Sequence, residues 1–102
     1  MIKTRKKKSK PVITIQPIGQ SFRKGQSINL SVKASGEDLS YQWLKNGVEL
    51  ARETSRILSI PSATKQDGGE YTVTVQNNGG SVTSNKAVII YHWEGDPPSI
   101  TI

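Results

Sequence analysis

The sequence contains no cysteine, which excludes disulfides, thiolate nucleophiles and cysteine-ligated metal sites. Histidine occurs once, so a Ser–His–Asp triad would have to use His92, and no motif surrounds that residue. The scattered carboxylates form no metal-binding pattern, and no phosphate-binding or dinucleotide-binding glycine motif is present. We therefore expect a protein that is not an enzyme and that has no catalytic residues, no metal and no cofactor.

Long apolar runs are also missing. No segment approaches the ~20 apolar residues that a membrane span requires. The N-terminus is positive, but the segment Pro11–Pro17 that follows is too short and too polar for the hydrophobic region of a signal peptide. With Met1 as the start, we expect neither a membrane span nor export through a signal peptide.

Acidic residues are absent from the first ten positions, which hold six cations: Lys3, Arg5, Lys6, Lys7, Lys8 and Lys10. The rest of the chain carries eight cations and eight acids, so the net charge of +6 belongs to this arm. The arm has little to bury and we expect it to be disordered when free. It is either a solubilising tail or an electrostatic anchor for an acidic protein, a nucleic acid or an anionic membrane.

The composition of the arm narrows its partners. It has no aromatic residue to stack on bases or to insert into lipid, which disfavours sequence-specific nucleic-acid binding and stable membrane anchoring. Nucleic acid would bind only non-specifically, through phosphate charge. We therefore expect the six cations to contact a protein partner with an acidic surface.

A length of 102 residues allows one domain, and its periodicity is that of β-strands. Ile28, Leu30 and Val32 alternate with polar residues, and turn signals recur every 8–12 residues. The alternation predicts seven or eight strands, which include Val12–Gln16, Ser27–Ala34, Ser40–Lys45, Val48–Leu50, Arg56–Ile60, Glu70–Gln76 and Ser81–Tyr91. Gly19–Gly25 is predicted as a turn, Asn46-Gly47 as a hairpin turn and Ser62–Gly69 as a polar crossover with one helical turn.

A series of motifs resembles the immunoglobulin superfamily, whose form is Leu-x-Cys, Trp, Leu-x-Ile and Asp-x-Gly-x-Tyr-x-Cys. Here the motifs are Leu30-Ser31-Val32, Trp43, Leu58-Ser59-Ile60 and Asp67-Gly68-Gly69-Glu70-Tyr71-Thr72-Val73. The resemblance covers about residues 12–91. It implies an all-β fold, an immunoglobulin-like β-sandwich of two antiparallel sheets. In lacking the cysteines, the sequence looks like the intermediate-set domains of bacterial and phage proteins, including outer capsid decoration proteins of tailed phages.

The resemblance also assigns roles to the core residues. Val32 and Val73 stand at the two cysteine positions and would fill the space beside Trp43, so packing replaces a disulfide worth ~4 kcal/mol. Trp43 is then a core residue and not a ligand platform, and Tyr71 is a tyrosine corner bonded to backbone near Asp67. We expect one buried cluster, made of Ile28, Leu30, Val32, Trp43, Leu58, Ile60, Tyr71, Val73 and Val75.

The C-terminal tail repeats the first predicted strand. Pro98-Ser99-Ile100-Thr101-Ile102 matches Pro11-Val12-Ile13-Thr14-Ile15 at four of five positions, 87 residues apart. Such a segment begins a further domain, stays disordered, or adds a strand to the edge of a neighbouring subunit or partner. We favour the added strand, with Ile100 and Ile102 covered. We divide the chain into a basic arm, 1–10, an immunoglobulin-like domain, 11–92, and a linker with a strand-like tail, 93–102.

These features favour a non-enzymatic structural or binding protein. The leading hypothesis is a virion surface subunit of a tailed phage, a capsid decoration or head-fibre protein that is made in the host cytoplasm. Its arm would dock on an acidic capsid or other virion surface, and it could form a homo-oligomer. The cysteine-free core and the missing export signal motivate this hypothesis. The alternative is a spacer or adhesion domain cut from a larger multi-domain bacterial surface protein at the cell surface.

Overall fold

Ten short strands and one 3₁₀ turn make up the fold of the computed structural model, which describes residues 9–92. The strands are β1 (Val12–Ile15), β2 (Gln20–Phe22), β3 (Ile28–Ser31), β4 (Lys33–Ser35), β5 (Ser40–Lys45), β6 (Val48–Glu49), β7 (Ile57–Ile60), β8 (Gly69–Asn77), β9 (Gly80–Thr83) and β10 (Ala87–Tyr91). The 3₁₀ turn is Lys65–Asp67, within the predicted crossover. The all-β sandwich implied by the resemblance is confirmed.

The strands form two layers. In one layer β1 pairs with β4 and β3 pairs with β7. Only Val32 separates β3 from β4, and its N–H donates to Arg56 O at 3.2 Å, which prolongs the β3–β7 ladder. The other layer has the order β2-β10-β8-β5-β6, with β9 also paired to β8. Its β2–β10 pair is parallel, which departs from the purely antiparallel sheets that we predicted.

The core lies between the two layers and is apolar. The twelve buried apolar residues of this cluster are Phe22, Ile28, Leu30, Val32, Trp43, Leu58, Ala63, Tyr71, Val73, Val75, Ala87 and Ile89. Eight of the nine residues predicted for the core are among them. The ninth, Ile60, is half-buried and packs against the cluster. Val73 lies directly opposite Trp43 in the β5–β8 register, as expected for a residue at a cysteine position.

The segment Gly19–Gly25 was wrongly predicted as turn throughout, because it contains β2. Here the chain crosses from the first layer to the edge of β10 in the second. Gly19 permits the crossing, since a Cβ on it would lie 2.5 Å from Val88 O. The three-residue strand that follows, Gln20–Phe22, is too short to show an alternating pattern.

The predicted strand Ser81–Tyr91 is also wrong in detail, because it is divided into β9 and β10. Thr83 pairs with Thr74 and Ala87 pairs with Tyr71, so one extra residue is accommodated between the two pairs. The buried Ser84 fills the break: its Oγ accepts from Val73 N–H at 3.0 Å, and its N–H donates to Val73 O at 2.9 Å. The ladder bonds of β8 are therefore kept across the bulge.

Replacing Trp43 by alanine should destabilise the domain by roughly 3–5 kcal/mol, because it removes the largest fully buried side chain and leaves a cavity. Urea denaturation followed by circular dichroism measures the loss. The matched control is Ile18→Ala, since Ile18 is 72% exposed and its truncation should cost at most about 0.5 kcal/mol. Equal losses in the two variants would show that the core is not centred on Trp43.

Candidate interaction surfaces

The root of the basic arm is fixed to the body of the domain by Asn77, at the end of β8. Asn77 Nδ2 donates to Ser9 O at 3.0 Å and to Glu37 O at 3.1 Å. Asn77 Oδ1 accepts from Gly79 N–H at 2.7 Å. One side-chain amide therefore links the arm to the β4–β5 loop, 36–39, and to the β8–β9 turn, 77–80. We call this end of the sandwich the arm end.

Lys10 lies over the same turn. A Cβ on Gly80 would approach Lys10 Cγ to 2.5 Å, and Gly80 has a φ of +144°, which disfavours side chains. Glycine at this position therefore lets the stem of Lys10 lie against the turn, while the residue itself stays exposed. The arm therefore leaves the domain at a defined place, where Asn77 bonds both Ser9 O and Glu37 O.

The predicted partner-binding residues are only partly described. Lys10 is placed, whereas Lys3, Arg5, Lys6, Lys7, Lys8, Ile100 and Ile102 lie outside the described residues. Sequence reasoning missed the contact of the arm with Asn77 and Gly80. It treated 77–80 only as a turn, and nothing in the local sequence relates that turn to residues 68 positions earlier.

Tyr71 and Trp43 have structural partners. The Tyr71 hydroxyl donates to Asp67 O at 2.6 Å, which confirms the predicted tyrosine corner. Burial, and then the negative charge of Asp67, raise the pKa of Tyr71 to about 12. Asp67 Oδ2 in turn accepts from Thr64 N–H at 2.8 Å and organises the 3₁₀ turn. Trp43 Nε1 donates to Ser55 O at 2.8 Å.

His92 lies at the opposite end of the sandwich, just after β10. Its backbone N–H donates to Phe22 O at 2.7 Å, and the residue is exposed. Within residues 9–92, no three His, Asp or Glu side chains come together in a group that could hold a metal ion. No helix in that same stretch is long and apolar enough to cross a bilayer.

Comparison with known proteins agrees with this geometry. The family model described as immunoglobulin domain matches residues 10–77. The chain belongs to the immunoglobulin domain family. It is 32% identical over 83 residues to human mucosa-associated lymphoid tissue lymphoma translocation protein 1. This alignment covers 80% of the present chain and 10% of the human protein. It is 35% identical over 78 residues to the muscle M-line assembly protein unc-89 of Caenorhabditis elegans, with 65% of this chain and 1% of that protein covered.

Solved structures of other proteins share the fold of this immunoglobulin domain. Immunoglobulin domains 1–5 of Sidekick-1 match with a TM-score of 0.77 and 27% identity, over 86% of this chain and 19% of that one. Titin M4 matches with a TM-score of 0.74 and 22% identity, over 83% of this chain and 98% of the titin chain. The chain spans one tenth or less of the length of the curated relatives that it matches.

The free energy of unfolding of this immunoglobulin domain should decrease at alkaline pH because of Tyr71. The pKa of its hydroxyl is raised in the folded state to about 12, above the ordinary value of 10.0. The stabilisation of the folded state by protonated Tyr71 is therefore complete below pH 10, and it is lost as the pH rises from about 10 towards 12. Urea midpoints measured between pH 8 and pH 12 should fall more steeply for the unmodified protein than for Tyr71→Phe.

Tyr71→Phe should also cost about 1 kcal/mol at pH 8, because the hydrogen bond to Asp67 O is removed. Tyr41→Phe is the control and should keep the alkaline fall, since Tyr71 is still present. An unchanged alkaline fall in Tyr71→Phe would assign the pH dependence to another group.

Proposed function

We propose that this immunoglobulin domain is a non-enzymatic binding module, and that its basic arm docks it on an acidic protein surface. The observation that carries the proposal is the separation of charge along the chain. All of the excess positive charge lies in residues 1–10, and the root of that segment is bonded to the arm end of the domain. Partner contacts made by the arm would therefore position the whole sandwich.

The fold itself supports a binding role. Two side chains that could have served a reaction or a ligand are used structurally, since the Tyr71 hydroxyl closes a corner and Trp43 is fully buried. The arm contains no aromatic group between residues 1 and 10 that would favour bases or lipid over a protein partner. Charge complementarity with an acidic protein then supplies both attraction and orientation.

As the setting of the module we propose a larger multi-domain protein, in which it acts as a spacer or adhesion unit at a cell surface. Two observations support this setting. The chain corresponds to one tenth or less of the length of four curated relatives that it matches. Its structural neighbours include Sidekick-1 domains 1–5 and the tandem immunoglobulin repeats of Dlar, in which such domains follow one another along the chain.

A virion surface subunit of a tailed phage is the second setting, in which the arm would dock on the capsid. The cysteine-free core favours it, because a domain stabilised by packing alone folds in the reducing cytoplasm where virions assemble. Mass spectrometry of the native protein distinguishes the settings. Peptides of this chain should belong to a longer polypeptide in the first setting and to purified virions in the second.

The arm itself is tested by a charge-matched pair of triple variants. In the first, Lys6, Lys7 and Lys8 are replaced by glutamine. In the second, the same number of charges is removed from the exposed body cations Lys24, Lys33 and Arg52. Binding to an immobilised polyglutamate peptide is measured from about 50 to 300 mM salt. The arm variant should bind at least about tenfold more weakly at low salt and with a flatter salt dependence, because fewer counterions are displaced.

The body variant should bind almost as well as the unmodified protein. Equal loss in both variants would show that total charge, and not the arm, determines binding. Duplex DNA and phosphatidylserine vesicles serve as competing probes in the same salt series. Tighter binding of either probe than of polyglutamate would overturn the proposal of an acidic protein partner.

A further inference from the structure

β7 is the least protected edge strand in the part of the chain that the structure describes. Short length protects β2 and β6, which have three and two residues, and a bulge between Ile13 and Ile15 interrupts β1. β9 has Lys10 over its first residue, Gly80, and is followed by the bulge at Ser84. β7 has four residues in continuous register with β3, without a charge, a proline or a bulge. Such an edge is a template for pairing with another strand.

The alternation of the β3–β7 ladder determines which backbone groups of β7 are open. Arg56 O accepts from Val32 N–H, so every second residue after Arg56 bonds to β3. Ile57 and Ser59 therefore direct their N–H and C=O groups away from β3. Ile57 N–H donates to Ser55 Oγ at 3.3 Å. The other three groups, Ile57 O, Ser59 N–H and Ser59 O, have no hydrogen-bond partner within residues 9–92.

These open groups are self-complementary in one antiparallel register. When two copies of β7 are related by a two-fold axis at Leu58, Ile57 of each copy lies opposite Ser59 of the other. Opposed residues of this kind exchange both N–H···O bonds. Ser59 N–H then donates to Ile57 O of the other copy, and Ile57 N–H leaves Ser55 and donates to Ser59 O of the other copy. All three open groups of each copy are thereby satisfied.

The side chains of β7 also suit this register. Ile57 and Ser59 are exposed on the outer face of their layer, whereas Leu58 is buried in the core. Pairing makes Ile57 and Ser59 cross-strand neighbours and covers part of Ile57, which is 44% exposed. Because β7 contains no charged residue, no like charges are opposed within the paired segment.

We propose that β7 pairs with β7 of a second copy of this chain, so that the layers that contain β3 and β7 join into one continuous sheet. The interface is isologous and closes after two copies. It consists of two short strands, so we expect a weak dimer with a dissociation constant on the order of 1 mM. β7 lies at the side of the sandwich, so the pairing does not depend on where the chain begins or ends.

Salt distinguishes this dimer from the binding that we propose for the arm. Each copy has a net charge of +6, so two copies repel each other and salt screens the repulsion. Self-association should therefore strengthen as the salt concentration rises, whereas docking of the arm on an acidic surface weakens. Failure of one proposal is thus distinguishable from failure of the other.

Cross-linking of single-cysteine variants tests the register, and the natural chain has no cysteine to interfere. Full-length Ile57→Cys and Ser59→Cys are mixed equally at about 1 mM and oxidised by glutathione disulfide. Positions 57 and 59 of different copies would lie about 5.5 Å apart between Cα atoms, whereas identical positions would be about 7–8 Å apart, beyond disulfide range. The mixed dimer should therefore exceed each dimer of one variant at least about tenfold, compared with about twofold for random collision.

Amide hydrogen exchange of the unmodified chain measures the pairing without any substitution. Leu58 N–H belongs to the β3 ladder and should be protected at every concentration. Ser59 N–H should exchange rapidly in dilute solution and about twofold more slowly at about 1 mM protein, where half of the chains are paired. Its protection should increase further with protein and salt concentration.

Two lysine variants provide a matched pair. Ile57→Lys places a positive charge on the pairing edge of both copies, next to Arg56, and should abolish the concentration dependence of Ser59 protection. Ile90→Lys changes the net charge equally on the other layer, at a residue that is 55% exposed, and should leave that dependence intact.

Three results would overturn the proposal. A mixed dimer only about twofold in excess would show random collision. Ser59 exchange that is independent of protein concentration, whether fast or slow, would show that β7 does not pair with itself and would leave its edge to a strand of another protein. Equal effects of Ile57→Lys and Ile90→Lys would show that net charge, and not the edge of β7, controls self-association.

Discussion

The burial of Trp43 between the two layers is the interaction on which the rest of this domain depends. The indole fills the centre of the cluster, and the segment between β6 and β7 closes over it. Trp43 Nε1 donates to Ser55 O, Trp43 N–H donates to Glu53 O, and Trp43 O accepts from Leu50 N–H. Because no disulfide joins the layers, this packing must hold them together, while the three hydrogen bonds fix the segment 50–55 to β5.

Where the strands are interrupted, side chains complete the backbone ladders. Ser84 supplies an acceptor to Val73 at the bulge between β9 and β10, and Gln16 Oε1 accepts from Asn85 N–H at 2.9 Å beside it. Asn46 Oδ1 accepts from Glu70 N–H at 2.9 Å in the β5–β6 hairpin. An unpaired backbone group is costly when it is buried, as Val73 N–H is, so Ser84 allows the bulge without weakening the core. Asn46 and Gln16 complete the ladders at exposed positions.

The two ends of the sandwich differ chemically, and this difference gives the domain a direction. The basic arm leaves from the arm end, where Asn77 holds its root, and β10 ends beside Phe22 at the opposite end. A module with such ends is suited to a linear arrangement, whether its neighbours are further domains of one chain or other copies of it.

Local sequence patterns were sufficient to predict most of the core, and the family resemblance implied the two-layer sandwich. Alternation at Ile28, Leu30 and Val32, the spacing of Trp43 and the Tyr71 motif follow from local periodicity and steric rules, and the structure places them as predicted. Only the tertiary structure decided β2, the bulge at Ser84 and the contact of Asn77 with Ser9. These features depend on partners that are distant along the chain, so no local pattern could specify them. The charge of the arm can be counted in the sequence, but the place where the arm leaves the domain is determined by the fold.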